Sequence, residues 1–365
     1  MLAPKHHSGR QPRQPLSRRR PLACILPPHI LSAIARNGTD AQRAAALDAL
    51  SVDHTIRSLR ATRSPTTARP FATGVLPTPE PHRTIYDSAH QELSPPTGTV
   101  VRQEGSGPVQ DAAVNEAYDG LGATFALYLD AFDRNSIDDA GLPLNAYVHF
   151  GADYDNAFWD GAEMVFGDGD RTLFNRFTIS LDVIGHELTH GVTEKEAGLT
   201  YHGQSGALNE SLSDVFGSLV KQHALGQSAD AADWLIGAGL LAPGVQGRAL
   251  RDMCNPGTAY DDPTLGKDPQ PADMAGYVTT TKDNGGVHLN SGIPNRAFCL
   301  SARAIGGNAW ETAGHIWYEA LLDARLRPET RFRGFATITV RHATAHGAAA
   351  AAAVTDAWRQ VGVLS

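Results

Sequence analysis

Apolar positions recur at helical spacing early in the chain, in the pairs Ile30 and Ile34, Leu47 and Leu50, and Ile56 and Leu59. They predict a small helical module over residues 30–60, with Asn37-Gly38 closing its first helix and Asp40 capping the second. Residues 61–81 carry five prolines among Thr and Arg, which excludes a regular element and reads as a linker open to proteolysis. The pattern then becomes mixed. Strand-like runs occupy 84–101 and 147–166, and a helix is predicted over 109–132, with Val114, Tyr118, Leu121, Phe125 and Leu129 on one face. From residue 179 onward, periodic stretches predict helices over 182–194, 206–225, 229–241, 293–305, 312–326 and 335–361. The last contains six consecutive alanines, 348–353, expected to be helix-favouring surface filler. The class is α+β, a mixed β-rich half followed by a helical one.

With 365 residues at 42% apolar, the chain can bury one large or two medium cores. Its longest apolar run, 234–242, is interrupted by glycines and far short of the roughly 20 residues a membrane-spanning helix needs. The three cysteines are too few and scattered for a disulfide scaffold, and no Cys-x-x-Cys pair marks a thiolate metal site. The net charge of −8 conceals an asymmetry: residues 1–70 hold 12 Lys+Arg against 3 Asp, whereas the remainder holds 19 basic against 36 acidic residues. Residues 1–20 read as a disordered basic tail. A nucleic-acid arm would need interleaved aromatics, which are absent. Opposite fields instead favour a basic prosegment docked on an acidic body of the same chain. Pro27 and Pro28 interrupt the only apolar run near the N-terminus, so a secretory signal is not expected. Export by a signal-independent route, with cytoplasmic storage as the alternative, is the expectation.

His186-Glu187-Leu188-Thr189-His190 lies on a predicted helix, which sets two imidazoles four residues apart on one face. Twenty residues on, Glu210 occurs on the next predicted helix and completes a two-His, one-Glu set with a fourth position left open, the pattern of catalytic rather than structural zinc. Asp214, one turn beyond Glu210, suits a carboxylate that accepts the other N–H of a ligating imidazole. Glu187 is too close to both ligands to coordinate comfortably and reads as general base toward a water.

The runs Val183-Ile184-Gly185-His186-Glu187-Leu188-Thr189-His190, Gly206-Ala207-Leu208-Asn209-Glu210 and Asp283-Asn284-Gly285-Gly286-Val287-His288 resemble the thermolysin-type neutral metalloproteases over roughly residues 84–365. That resemblance implies His288 as a donor to the developing oxyanion, Asp283 as its orienting partner and Tyr201 as a second donor. It implies that Asn156 and Ala157 belong to an edge strand that pairs with extended peptide, and that Arg251 holds the substrate carbonyl beyond the scissile bond. It also implies an apolar pocket of Phe174, Phe177, Val183, Ile236 and Leu250, positions that would serve equally as core. Residues 25–31 and the helices after them resemble the short prosegment of protealysin-like members, with Cys24 or His29 a further candidate for a fourth zinc ligand in the precursor.

The implied division is a tail over 1–20, an inhibitory prosegment over 21–66, a linker over 67–83, a first peptidase lobe over 84–198 and a helical lobe over 199–365. The implied activity is a zinc endopeptidase made as a zymogen, a monomer that cleaves on the N-terminal side of bulky hydrophobic residues and binds neither nucleic acid nor membrane. A catalytically silent peptide-binding module is the rival. The family's paired calcium site is expected to be lost: Asp182 and Asp233 remain, but Lys221, Leu235 and Ala238 stand at matching positions, and Arg248 replaces a carboxylate of a second site.

Overall fold

The computed structural model describes residues 24–62, 78–93 and 95–365, with the side chains of 53–62 outside the description. The expected tail over 1–20 and most of the expected linker fall outside these residues.

The N-terminal module is α1 (Pro28–Asn37) followed by α2 (Asp40–Thr62). Pro28 opens α1, where a missing N–H costs nothing. Asp40 is not the cap of α2. Thr39 is: its hydroxyl accepts from Gln42 N–H at 3.3 Å while the Gln42 side chain accepts from Thr39 N–H at 2.9 Å, a reciprocal box that a lone Asp inside the first turn does not make.

Next come β1 (Arg83–Asp87), β2 (Thr99–Gln103), α3 (Ala112–Phe132), β3 (Leu144–Val148), β4 (Ala157–Trp159) and β5 (Met164–Phe166). The strands form one mixed sheet in the order β2-β1-β3-β5-β4. β1, β3 and β5 run parallel; β2 and β4 are antiparallel additions at the two edges. α3 packs on β1 and β3 and is capped by Asp111, whose carboxylate accepts from Ala113 and Val114.

The remainder is α4 (Leu181–Glu196), α5 (Gly203–Leu225), short strands β6 (Leu235–Ile236), β7 (Arg251–Asp252), β8 (Asp261–Asp262) and β9 (Gly266–Lys267), then α6 (Asp283–Asn290), α7 (Gly292–Ile305), α8 (Thr312–Leu322), α9 (Phe332–Ala345) and α10 (Ala348–Gln360). Four sequence expectations are corrected here. Residues 229–241 form no helix, because left-handed backbone at Trp234, Gly237 and Gly239 breaks the apolar run into turns around β6. The stretch 335–361 is two helices separated at Gly347, whose φ of 109° no helix accommodates. Cysteine does contribute structure: Cys254 and Cys299 form a disulfide that ties the segment after β7 to α7 across 45 residues. Ala350 is buried, so the alanine run is partly core rather than surface filler.

Candidate active site

α4 and α5 make the most extensive helix pair in the fold, and glycines let them approach closely. A Cβ on Gly185 would stand 3.0 Å from the Gly217 Cα, and one on Gly217 would stand 2.4 Å from the Asp182 carbonyl oxygen. This contact brings α5's Glu210 to the face of α4 that carries His186 and His190. The two Nε2 atoms are 3.0 Å apart, and the Glu210 carboxylate lies 3.5 Å from one and 3.7 Å from the other. Among the described residues this is the only group of three or more His, Cys, Asp or Glu side chains converging within 4.8 Å, so neither Cys24 nor His29 joins it.

The outer nitrogens explain the convergence. His186 Nδ1 sits 2.8 Å from the Asp214 carboxylate, and His190 Nδ1 sits 2.7 Å from Asn209 Oδ1 and 3.0 Å from Ser213 Oγ. Once Nδ1–H is donated outward, both Nε2 lone pairs point at one spot, where they repel unless a cation lies between them. Burial pushes the His190 imidazole down to about 3, the neutral form a ligand must have. The donor set therefore fits zinc. Asn209 and Ser213 were not expected from sequence, although they stand four residues apart on α5, one on either side of Glu210.

Glu187 is fully buried on α4 and accepts the Trp159 N–H of β4 at 3.1 Å, which ties the prospective base to the strand that would carry substrate. Asp283 and His288 meet through an unusual turn. Asp283, Asn284, Gly285 and Gly286 are consecutively left-handed, a run that Asn and Gly tolerate best. It folds the Asp283 carboxylate back onto His288, with one oxygen 2.9 Å from its backbone N–H and the other 2.6 Å from Nδ1. Burial would lower the His288 pKa, but Asp283 and Glu210 outweigh it and hold the ring above its usual range. His288 Nε2 is 3.3 Å from the Tyr201 hydroxyl, which donates to Glu210.

Arg251, on β7, is buried, with Nε 2.8 Å and Nη2 2.7 Å from the two Asp214 oxygens. Asp214 thus serves Arg251 and the ligand His186 together, and Asn295 of α7 adds a further donor at 2.8 Å that sequence reading missed. Residues 24–26 occupy the strand edge. Cys24 bridges antiparallel to Phe158, Ile25 N–H donates to the Ala157 carbonyl at 3.3 Å, Leu26 N–H donates to Asn156 Oδ1 at 3.1 Å, and Arg251 Nη1 donates to the Ile25 carbonyl at 3.1 Å. Phe174, Phe177, Val183, Ile236 and Leu250 are all buried in the same apolar cluster as Ile25 and Leu26.

Comparison with known proteins agrees with this geometry. Residues 78–194 match the thermolysin metallopeptidase catalytic domain, and residues 197–363 match the alpha-helical domain of the same proteins. The chain belongs to the thermolysin metallopeptidase family. It is 54% identical over 345 residues to an extracellular metalloprotease of Pectobacterium carotovorum subsp. carotovorum, covering 94% of this chain and 97% of that one. It is 53% identical over 285 residues to protease PrtS of Photorhabdus sp. (strain Az29), covering 77% and 76% of the two chains. The precursor of protealysin, a metalloproteinase from Serratia proteamaculans, superimposes with a TM-score of 0.84 at 53% identity, over 93% of this chain and 99% of that one. As a thermolysin-type metallopeptidase, this protein is a zinc-dependent protease of two-lobed α+β architecture, and the reading as a silent peptide-binding module is not favoured. No helix among the described residues is long and apolar enough to cross a membrane.

Proposed function

We propose that the chain is the zymogen of a monomeric endopeptidase that cuts on the N-terminal side of bulky hydrophobic residues, with 21–66 as its inhibitory prosegment, 67–83 as linker and lobes over 84–198 and 199–365. The observation that carries this reading is the path of residues 24–26, which lie on the edge strand as an extended peptide with Asn156, Ala157 and Arg251 taking the backbone groups a substrate would offer. Phe174, Phe177, Val183, Ile236 and Leu250 are buried and apolar, and the docked segment is itself apolar at Ile25 and Leu26, which supports a bulky hydrophobic residue as the preferred occupant after the cut.

His186, His190 and Glu210 would hold zinc, which, when bound, supplies Lewis acidity to the peptide carbonyl and acidifies a water. Glu187 accepts the water's proton and delivers it to the leaving amine. His288, aimed by Asp283, donates from Nε2 to the oxygen on which negative charge grows, with the Tyr201 hydroxyl as second donor once released from Glu210. Asp214 holds the His186 tautomer and the Arg251 fork together.

Calcium is proposed to be dispensable. The Lys221 ammonium lies 2.8 Å from Asp182, 2.8 Å from Asp233 and 2.7 Å from the Leu235 carbonyl oxygen, an internal cation where hard oxygen ligands would otherwise gather metal. Arg248, at the second site, pairs with Asp252 at 2.8 Å. Two relatives whose names mark them as extracellular support secretion, here by a signal-independent route with cytoplasmic storage as the alternative. Casein hydrolysis by purified protein, abolished by a chelator and restored by zinc, tests the activity; hydrolysis that survives chelation would refute it.

A further inference from the structure

His29 is the second residue of α1, just beyond the extended residues 24–26 that lie along β4. Its Nε2 shares a 3.1 Å hydrogen bond with the Tyr260 hydroxyl, whereas its Nδ1 is buried with no hydrogen-bond partner. A neutral imidazole tolerates this, because its second nitrogen is only an acceptor left idle. An imidazolium does not, because it carries two N–H donors and the second would be buried without an acceptor. The charged groups around the ring sharpen the conflict. His288 of α6 and Arg251 of β7 oppose a positive charge, and Asp283 of α6 alone favours one; Tyr260 is kept protonated by burial. Burial first, then His288, holds the docked ring down to about 4.

We propose that His29 is an acid-sensitive latch: uptake of a proton on its buried Nδ1 ejects the segment of residues 24–37 from the cleft and unmasks the active site. The latch rests on the reading of that segment as inhibitory. The sign follows from linkage. A histidine in the released segment titrates near 6.5, so between 6.5 and 4 the released state binds a proton that the docked state refuses, and docking weakens as pH falls. From pH 7.5 to pH 5 the weakening amounts to about 30-fold, levelling off below 4.

Cys24 supplies the reporter. It is buried against β4, and the other two cysteines are in the disulfide, so reaction of its thiol requires the segment to lift. The experiment uses the full-length, zinc-saturated Glu187→Gln chain without reductant. Cys24 is labelled with dithiodipyridine from pH 7.5 to 4.5, and each rate is divided by that of the urea-unfolded chain at the same pH. The expected result is a rise in normalised rate of tenfold or more by pH 5 in Glu187→Gln, and a flat profile once His29→Gln or His29→Leu is added. A flat profile in the parent, or an unchanged rise in a His29 variant that is closed at pH 7.5, overturns the latch. Should both His29 variants be open at every pH, the parent decides alone: one proton taken up per opening between pH 6.5 and 4 supports the latch, and none overturns it. Casein hydrolysis by the wild-type chain is scored separately, so a failed latch with intact proteolysis is distinct from a failed protease reading.

Discussion

Asp214 and Arg251 are joined by two hydrogen bonds, at 2.8 and 2.7 Å, and the same carboxylate receives His186 Nδ1 at 2.8 Å. His186 and Arg251, the proposed metal ligand and the proposed substrate clamp, therefore share one buried anion. Asp214→Asn is expected to weaken zinc binding by about 10- to 100-fold and to raise KM together, because the amide cannot serve both partners. Arg251→Lys should raise KM with zinc affinity unchanged. Zinc titration against a competing chelator, alongside peptide kinetics, checks both; an Asp214→Asn chain with wild-type zinc affinity would break the link.

Glu187→Gln should retain zinc and fold while losing turnover by several orders of magnitude, since the base is removed and the three ligands stay. A variant keeping a tenth of wild-type kcat would mean that proton transfer lies elsewhere. His288→Ala should lower kcat by roughly 10²- to 10³-fold through loss of a donor to the oxyanion.

The convergence of His186, His190 and Glu210 is legible because helical spacing converts sequence distance directly into a shared face, and the approach of Asp214 to His186 follows by the same rule. Thr39-x-x-Gln42 is a local capping signal, but Asp40 beside it offers a competing cap that the sequence alone does not separate from it. The turns at Trp234, Gly237 and Gly239 were hidden behind an apolar run whose periodicity overrode its glycines. Asn295 and Tyr260 had no local signature at all: they are 81 and 231 residues from the Asp214 and His29 they touch, and only tertiary packing makes them neighbours.

Removal of calcium by a selective chelator, with zinc kept saturated, should leave the thermal midpoint within a few degrees. A drop of ten degrees or more would show that a structural calcium pair persists. Lys221→Ala should instead destabilise the fold by about 3 kcal/mol, because it leaves the buried Asp182 without its cation; denaturant unfolding measures it.

His149 lies between Asp168 and Asp111, each at 2.9 Å, and the hydrogen bond to Asp168 raises its pKa to about 9. A pKa raised on folding stabilises fully below the unfolded value near 6.5, and that contribution is lost as pH rises through 9. The stability gap between wild type and His149→Asn should accordingly be widest at pH 6 and shrink by pH 10. A gap independent of pH would show that the ring acts by packing alone.

β4 ends the five-stranded sheet, and residues 24–26 are what lies against its outer side. An uncovered sheet edge invites any extended chain, including another copy of the same strand. On the proposed reading as a zymogen, the segment over β4 would also be a cover against self-association, and its removal would expose the active site and the strand edge together. Peptide bound along β4 would then shield that edge in the way residues 24–26 do, so that substrate itself would stand in for the lost cover.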